Sequence, residues 1–319
     1  MKTFTSWTGH APGDRGAVAA IGNFDGVHLG HRTVIETARD ECERRGAPLG
    51  VLTFEPHPRE FFSPGAAPFR LMNAEARANR LTKLFVDHLY QLPFDARLAG
   101  LTPEAFARDV ISGGLGLAHV VVGADFCFGK GRTGNVDDLR QFGAQMGFGV
   151  TAVELLANEV GEVSSTAIRD ALTDGRPRDA AKMLGHWHRI EGEVLHGDAR
   201  GRALGFPTAN MSIHGLHRPR FGVYAVKVDV LSGPHQGTYD GAAAIGVRPM
   251  FGENVPNCES HLFDFKGDLY GTHLSVALVE FLRDEMKFDS LNELVDQMNR
   301  DCDRARKILA QAPPLPFRR

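Results

Sequence analysis

Two stretches of this sequence combine residue types that handle phosphate. The first is Gly22-Asn23-Phe24-Asp25-Gly26-Val27-His28-Leu29-Gly30-His31. Glycines at every fourth position let the backbone turn sharply and approach a ligand closely. His28 and His31 stand one helical turn apart, so both rings can face the same phosphate chain. No cysteine or acidic partner follows at ligand spacing, which makes metal ligation the weaker reading of the pair. The order matches neither the Walker A pattern nor Gly-x-Gly-x-x-Gly.

The second is Gly201-Arg202-Ala203-Leu204-Gly205-Phe206-Pro207-Thr208-Ala209-Asn210. Gly201 and Gly205 enclose the cation of Arg202 in a loop suited to cover phosphates. Pro207 then fixes the chain so that Thr208 and Asn210, two apart on a strand, project to one side. Their oxygens are hard ligands, suited to Mg²⁺ bridging nucleotide phosphates. An ordinary barrel hairpin is the alternative. Phosphoryl transfer to a hydroxyl also needs a proton acceptor, and Glu259, Asp264 and Asp268 all qualify. Glu259 opens an alternating segment and points away from the face of Ser260 and Leu262. A third feature, Ser164-Ser165-Thr166-Ala167-Ile168-Arg169, is a helix start that caps itself or clamps a triphosphate with three hydroxyls and an arginine.

The elements around these motifs fall into two patterns. In the first half strands alternate with helices: a strand over 17–21, a helix over 32–45, a strand over 50–54, a Pro-rich loop over 55–69 and a helix over 74–88. Thr102-Pro103-Glu104 starts a further helix that ends near Gly113-Gly114, followed by a strand over 119–122, a Gly-rich loop over 123–134, a helix over 136–146 and a strand over 149–154. This alternation predicts a Rossmann-like parallel sheet whose loops after Ile21, Phe54 and Val122 share one edge. From His188 the segments shorten and alternate, over 189–195, 208–212, 223–230, 241–246, 260–265 and 274–281, predicting a closed antiparallel β-barrel. Ser290 to Glu293 is a capping box opening a terminal helix that turns Leu294, Val295, Met298, Ile308 and Leu309 toward a core. The expected division is 1–184 and 185–319.

Composition narrows the function classes. The 319 residues suggest two domains, and the 43% hydrophobic and 24% charged content is that of a globular protein. A formal charge of −3 argues against a polyanion-binding surface. Four scattered cysteines include no C-x-x-C pair, and no apolar run reaches the ~18 residues of a membrane span. The expected location is the cytoplasm, without membrane or nucleic-acid partners, and with room for a homo-oligomer.

The order strand, Gly-x-x-x-Gly, His-x-x-His, helix resembles the signature of the nucleotidyltransferase superfamily. With the second motif in place, nearly the whole chain resembles the bifunctional bacterial riboflavin kinase/FAD synthetase family. The resemblance rests on Gly22 to His31, Thr53 to Pro58, Gly123 to Gly129, Ser164 to Arg169, Gly201 to Asn210, Glu259 to Gly271 and Phe281 to Phe288. It implies an N-terminal FMN adenylyltransferase domain and a C-terminal riboflavin kinase barrel, both using ATP and Mg²⁺, with riboflavin and FMN as the flavin substrates.

By the same resemblance His28, His31 and Arg169 serve adenylyl transfer. Gly22, Asn23, Phe24, Asp25, Gly26, Ser164, Ser165 and Thr166 meet that ATP, while Phe54, Pro56, His57, Pro58 and Asp125 line the flavin side. In the kinase, Gly201, Arg202, Gly205, Pro207, Thr208 and Asn210 hold ATP, Thr208 and Asn210 hold the metal, and Glu259 is the base. Met250 departs from the family, which usually has Thr there. The rival readings are a nucleotidyltransferase with another phosphorylated acceptor, which would not need the 201–210 loop, and a barrel that binds oligonucleotides or senses flavin.

Overall fold

A computed structural model describes residues 1–154, 157–158, 161–196, 204–247 and 256–312. The chain forms two compact units, one of Met1–Ala67 with Arg77–Val163 and one of Pro68–Ala76 with Ser164–Arg319.

In the first unit, strands β1 (Lys2–Phe4), β2 (Val18–Ile21), β3 (Leu49–Glu55), β4 (His88–Pro93), β5 (His119–Gly123) and β6 (Gly149–Val153) pair in parallel, in the order β1-β4-β3-β2-β5-β6. Every residue of β2 is buried, as expected of a strand covered on both faces. The chain steps from β2 outward through β3 to β4, then returns to the other side of β2 with β5. Such a reversal leaves a crevice beyond the C-terminal end of β2, where a ligand fits between diverging connections. A two-stranded antiparallel ribbon, β7 (Ala157–Asn158) and β8 (Gly161–Glu162), follows.

The helix expected over 74–88 is shorter. It ends at Lys83 because Phe85 takes a left-handed conformation with φ 55°. Leu89 therefore leaves the helical stripe and joins Tyr90 and Leu92 in the buried face of β4. The helix begun at Thr102 forms as expected, with Thr102 Oγ1 accepting from Ala105 N at 3.1 Å, and continues as a π-helix over Phe106–Leu115.

In the second unit, helices Ser165–Thr173 and Pro177–Leu184 precede β9 (Arg189–Glu193), β10 (Ala209–Ser212), β11 (Gly222–Val230), β12 (Gly237–Val247), β13 (Pro256–Leu262) and β14 (His273–Arg283). These six strands are antiparallel in the order β10-β13-β12-β11-β14-β9. The outer strands approach where Leu195 N donates to Asn210 O at 2.8 Å, so the barrel is nearly closed. Val226, Val228, Ile245, Cys258, Val276 and Leu278 fill its interior.

The strand expected over 260–265 lies earlier, at Pro256–Leu262, because Asp264 turns the chain with φ 58°. The terminal helix, Leu291–Gln311, packs Ala305 and Leu309 against the small outward residues Ala225, Ala242 and Ala277. Of the expected stripe only Leu309 is fully buried; Leu294, Val295 and Met298 are half-buried. Asp301 takes the inward position instead, because Arg283 meets it with Nη2 to Oδ2 at 2.7 Å.

Several histidines are enclosed as neutral rings. Burial pushes the His188 imidazole down to about 3 and lowers His31, His88, His119 and His217 as well. Unfolded, each takes up a proton below ~6.5, whereas the folded chain binds fewer, so stability falls as pH drops through that value. His188 contributes to this loss. Urea unfolding should therefore give a lower midpoint at pH 5.5 than at 7.5, and His188→Gln should shrink the difference. Equal midpoints at the two pH values would contradict the burial argument.

Candidate functional site

The Gly22–His31 turn leaves β2 at the crevice edge. Its backbone is strained: Phe24 and Val27 have φ of 51° and 44°, and Gly26 has 90°. Left-handed geometry is costly for a β-branched valine, and such strain gathers at functional sites. It turns the Phe24 ring inward to meet His31 at 5.1 Å between centroids. Asp25 is buried in the same turn.

His28 is the N-cap of the helix Leu29–Arg45, and it caps reciprocally with His31. His28 Nδ1 accepts from His31 N, and His31 Nδ1 accepts from His28 N, both at 3.3 Å. The rings stack with centroids 3.6 Å apart and planes 21° from parallel. Burial and then the neighbouring His28 hold the His31 imidazole well below its usual range. With Nδ1 accepting, the proton of each neutral ring sits on Nε2, so both rings act as Nε2–H donors. A pair of neutral donors at a helix N-terminus suits an anion.

The loops after β2, β3 and β5 share the predicted edge, because all three strands run parallel. Phe54, next to last in β3, has its ring 5.7 Å from that of Phe94. After the cis Glu55–Pro56 bond, His57 caps the short helix Pro58–Phe62, accepting from Arg59 N at 3.1 Å. This helix lies inside the stretch read as loop, and it adds Phe61 and Phe62 to an aromatic group with Phe94. Phe62 is 66% exposed, an unusual state for a ring among rings, and a flat apolar ligand would cover it. Asp125 lies in the turn after β5, exposed, with its carboxylate over Gly123.

Sequence reasoning missed the residue that ties two of these loops together. Arg77 is 1% exposed and pairs with Glu55 Oε2 at 2.9 Å. It also donates to Asn23 O and Phe54 O, each at 3.4 Å, while Thr53 Oγ1 reaches Asn23 O at 3.1 Å. One guanidinium thus joins the Gly22–His31 turn to the end of β3. The signal was an arginine four residues before Leu81 on the apolar stripe of its helix.

Ser164 caps the helix Ser165–Thr173, with Oγ accepting from Ala167 N at 3.2 Å. Arg169 Nη2 donates to Thr166 Oγ1 at 3.1 Å, so the hydroxyl and the cation of this motif meet. The helix belongs to the second unit, whereas His28 and His31 belong to the first.

In the barrel, Gly201 and Arg202 lie outside the described residues, as does Met250. Gly205 is left-handed with φ 86°. Pro207 O receives His261 Nδ1 at 2.8 Å, which fixes the approach to β10. Thr208 stands just before β10, and Asn210 Nδ2 lies 3.5 Å from Thr208 Oγ1, so the two share a side as their spacing predicts. Across the ladder Asn210 pairs with Glu259 of β13. Of the three acids, Asp264 is engaged by Arg306 at 2.7 Å and Asp268 Oδ1 accepts from Tyr270 N at 3.0 Å. Only Glu259 faces Asn210 across the strands. A cavity of about 290 Å³ opens beside Thr208, lined also by Pro207, Leu262, Phe265, Leu269 and Tyr270. Ser260, Lys266 and Asp268 line it too, so it offers polar as well as apolar contacts.

Two family models match this chain. The FAD synthetase family model matches residues 10–167 and the Riboflavin kinase model residues 184–309. The bifunctional riboflavin kinase/FMN adenylyltransferase of Pseudomonas fluorescens is 41% identical over 94% of this chain and 95% of its own. The chain belongs to that bifunctional family. The protein of the same description from Escherichia coli K12 is 39% identical over 94% of this chain and 95% of its own. A crystal structure from Streptococcus pneumoniae, described as a macrolide-efflux protein, superposes with a TM-score of 0.81 at 32% identity, covering 95% of this chain and 98% of the other. Among the described residues no helix is long and apolar enough to cross a membrane.

Arg77→Met should lower FAD formation from supplied FMN about 10- to 100-fold, the worth of a charged hydrogen-bond set, while FMN formation stays within about twofold. Equal losses in both reactions would assign Arg77 to folding rather than to loop placement.

Proposed function

We propose that this chain converts riboflavin to FMN and FMN to FAD, each with ATP, at two separate sites. Residues 1–184 carry the adenylyltransferase and 185–319 the kinase. The observation that supports this most is the opposition of Asn210 and Glu259 beside Thr208, on a chain whose other half holds the stacked His28 and His31 donors.

In the first reaction FMN's phosphate oxygen attacks the α-phosphorus of ATP, and pyrophosphate leaves. The nucleophile is already an anion, so the site needs alignment and charge stabilisation rather than a base. Nε2–H groups of His28 and His31 supply neutral donors to the phosphate oxygens as charge develops. The turn from Gly22 to Gly26 accommodates the nucleotide. Phe54, Pro56, His57, Pro58 and Asp125 border the flavin, which the exposed Phe62 ring suits.

In the second reaction the ribityl hydroxyl attacks the γ-phosphorus, and ADP leaves. A hydroxyl is a poor nucleophile, so Glu259 takes its proton. ATP places its base in the cavity beside Thr208, and Gly201, Arg202, Gly205 and Pro207 hold its phosphates. No cluster of three or more acidic, histidine or cysteine side chains offers a ready metal cage among the described residues. The neutral oxygens of Thr208 and Asn210 fit Mg²⁺ arriving with ATP, which keeps phosphate and water ligands of its own. Bound there, the ion would neutralise phosphate charge. The four unpaired cysteines suit a reducing cytoplasm.

His28→Ala or His31→Ala should abolish FAD formation and spare FMN formation; parallel loss of both would defeat the two-site reading. Asn210→Ala or Glu259→Gln should do the reverse, and full kinase turnover in Glu259→Gln would remove it as the base. Chelation of Mg²⁺ should stop both reactions, and persistence of either would count against the metal there. Chromatography of flavins formed from riboflavin, ATP and Mg²⁺ reads all three.

A further inference from the structure

We propose that Asn257 is a positioning residue of the kinase reaction, holding the Glu259 carboxylate in the orientation that receives the substrate's proton. This rests on the reading of Glu259 as base. The two residues are two apart on β13 and share its outer face, opposite to Cys258 and Ser260. Asn257 Nδ2 donates to Glu259 Oε1 at 3.1 Å. The amide can face the carboxylate only with its nitrogen, since the reverse orientation would set oxygen against oxygen.

The other end of the same amide is the telling feature. Asn257 is 1% exposed, and its Oδ1 has no hydrogen-bond partner among the described residues. In register it lies between Ser212 of β10 and Gly246 of β12, where a Cβ on Gly246 would overlap the Glu285 carboxylate. A buried carbonyl without a donor destabilises the fold, whereas an apolar side chain of similar size would not. Stability therefore gives no reason for asparagine here, and the contact with Glu259 does. A carboxylate anchored through Oε1 is held in one orientation on its strand.

Asn257→Leu separates the two roles. Kinase kcat should fall about 10- to 100-fold, the worth of one hydrogen bond to a charged group, with KM for ATP within about twofold. Adenylylation of supplied FMN should be unchanged, and the thermal midpoint unchanged or higher. Asn257→Asp, the same shape without the donor, should lose at least as much turnover. Normal kinase turnover in Asn257→Leu overturns the proposal, as does a lowered midpoint with both activities reduced together. Glu259→Gln run alongside tells which claim failed: if it is inactive while Asn257→Leu is normal, only the role of Asn257 falls; if Glu259→Gln is fully active, the base assignment falls and this proposal with it.

Discussion

His28 and His31 cap the helix that they begin, and the chemistry proposed for the N-terminal half depends on that double use. Each ring takes a backbone N–H at Nδ1, which satisfies two of the donors a helix start leaves unpaired. The same bonds settle the tautomer, so the nitrogen offered to a ligand carries its proton without any titration. Burial reinforces this by keeping His31 neutral. The strained turn through Phe24 and Val27 is what sets the two rings in register.

The barrel reaches a similar end by different means. Its interior is mostly apolar and the barrel nearly closed, so its proposed chemistry lies on the outer face and at the mouth. There β13 presents Asn257, Glu259 and His261 at alternate positions, each with an assigned contact: one on its neighbour's carboxylate, one opposite Asn210, one on Pro207. A rigid strand thereby orders a loop, a hydroxyl and a carboxylate without a dedicated cluster of charges. Both halves thus rely on backbone geometry more than on net charge, in keeping with a chain of formal charge −3 that handles polyphosphates.

What could be read in the sequence was local. The Gly22–His31 turn, the cap at Thr102 and the pairing of Thr208 with Asn210 depend on residues within one turn or one strand, and all three fold as their spacing implies. Features that depend on long-range register were not legible. Asn210 meets Glu259 only because β10 pairs with β13, and the three acids could not be ranked before that register was known. Arg77 was hidden because its value lies in partners far apart in sequence, Asn23, Phe54, Glu55 and Gln91. The strand after Lys83 was misread because Leu81, Leu84 and Leu89 keep a helical spacing across a break made by one left-handed phenylalanine. The shift of the strand at 260 has the same kind of cause, at Asp264.

The central claim is that one chain moves two different phosphorus atoms of ATP at two separate places. Isotopic tracing with ATP labelled at the α or the γ position follows those atoms directly. With riboflavin as the starting flavin, FMN should carry label from the γ position alone, FAD should carry one phosphorus from each position, and pyrophosphate should appear in step with FAD. FAD lacking γ-derived phosphorus, or FMN formed without any FAD or pyrophosphate, would contradict the account.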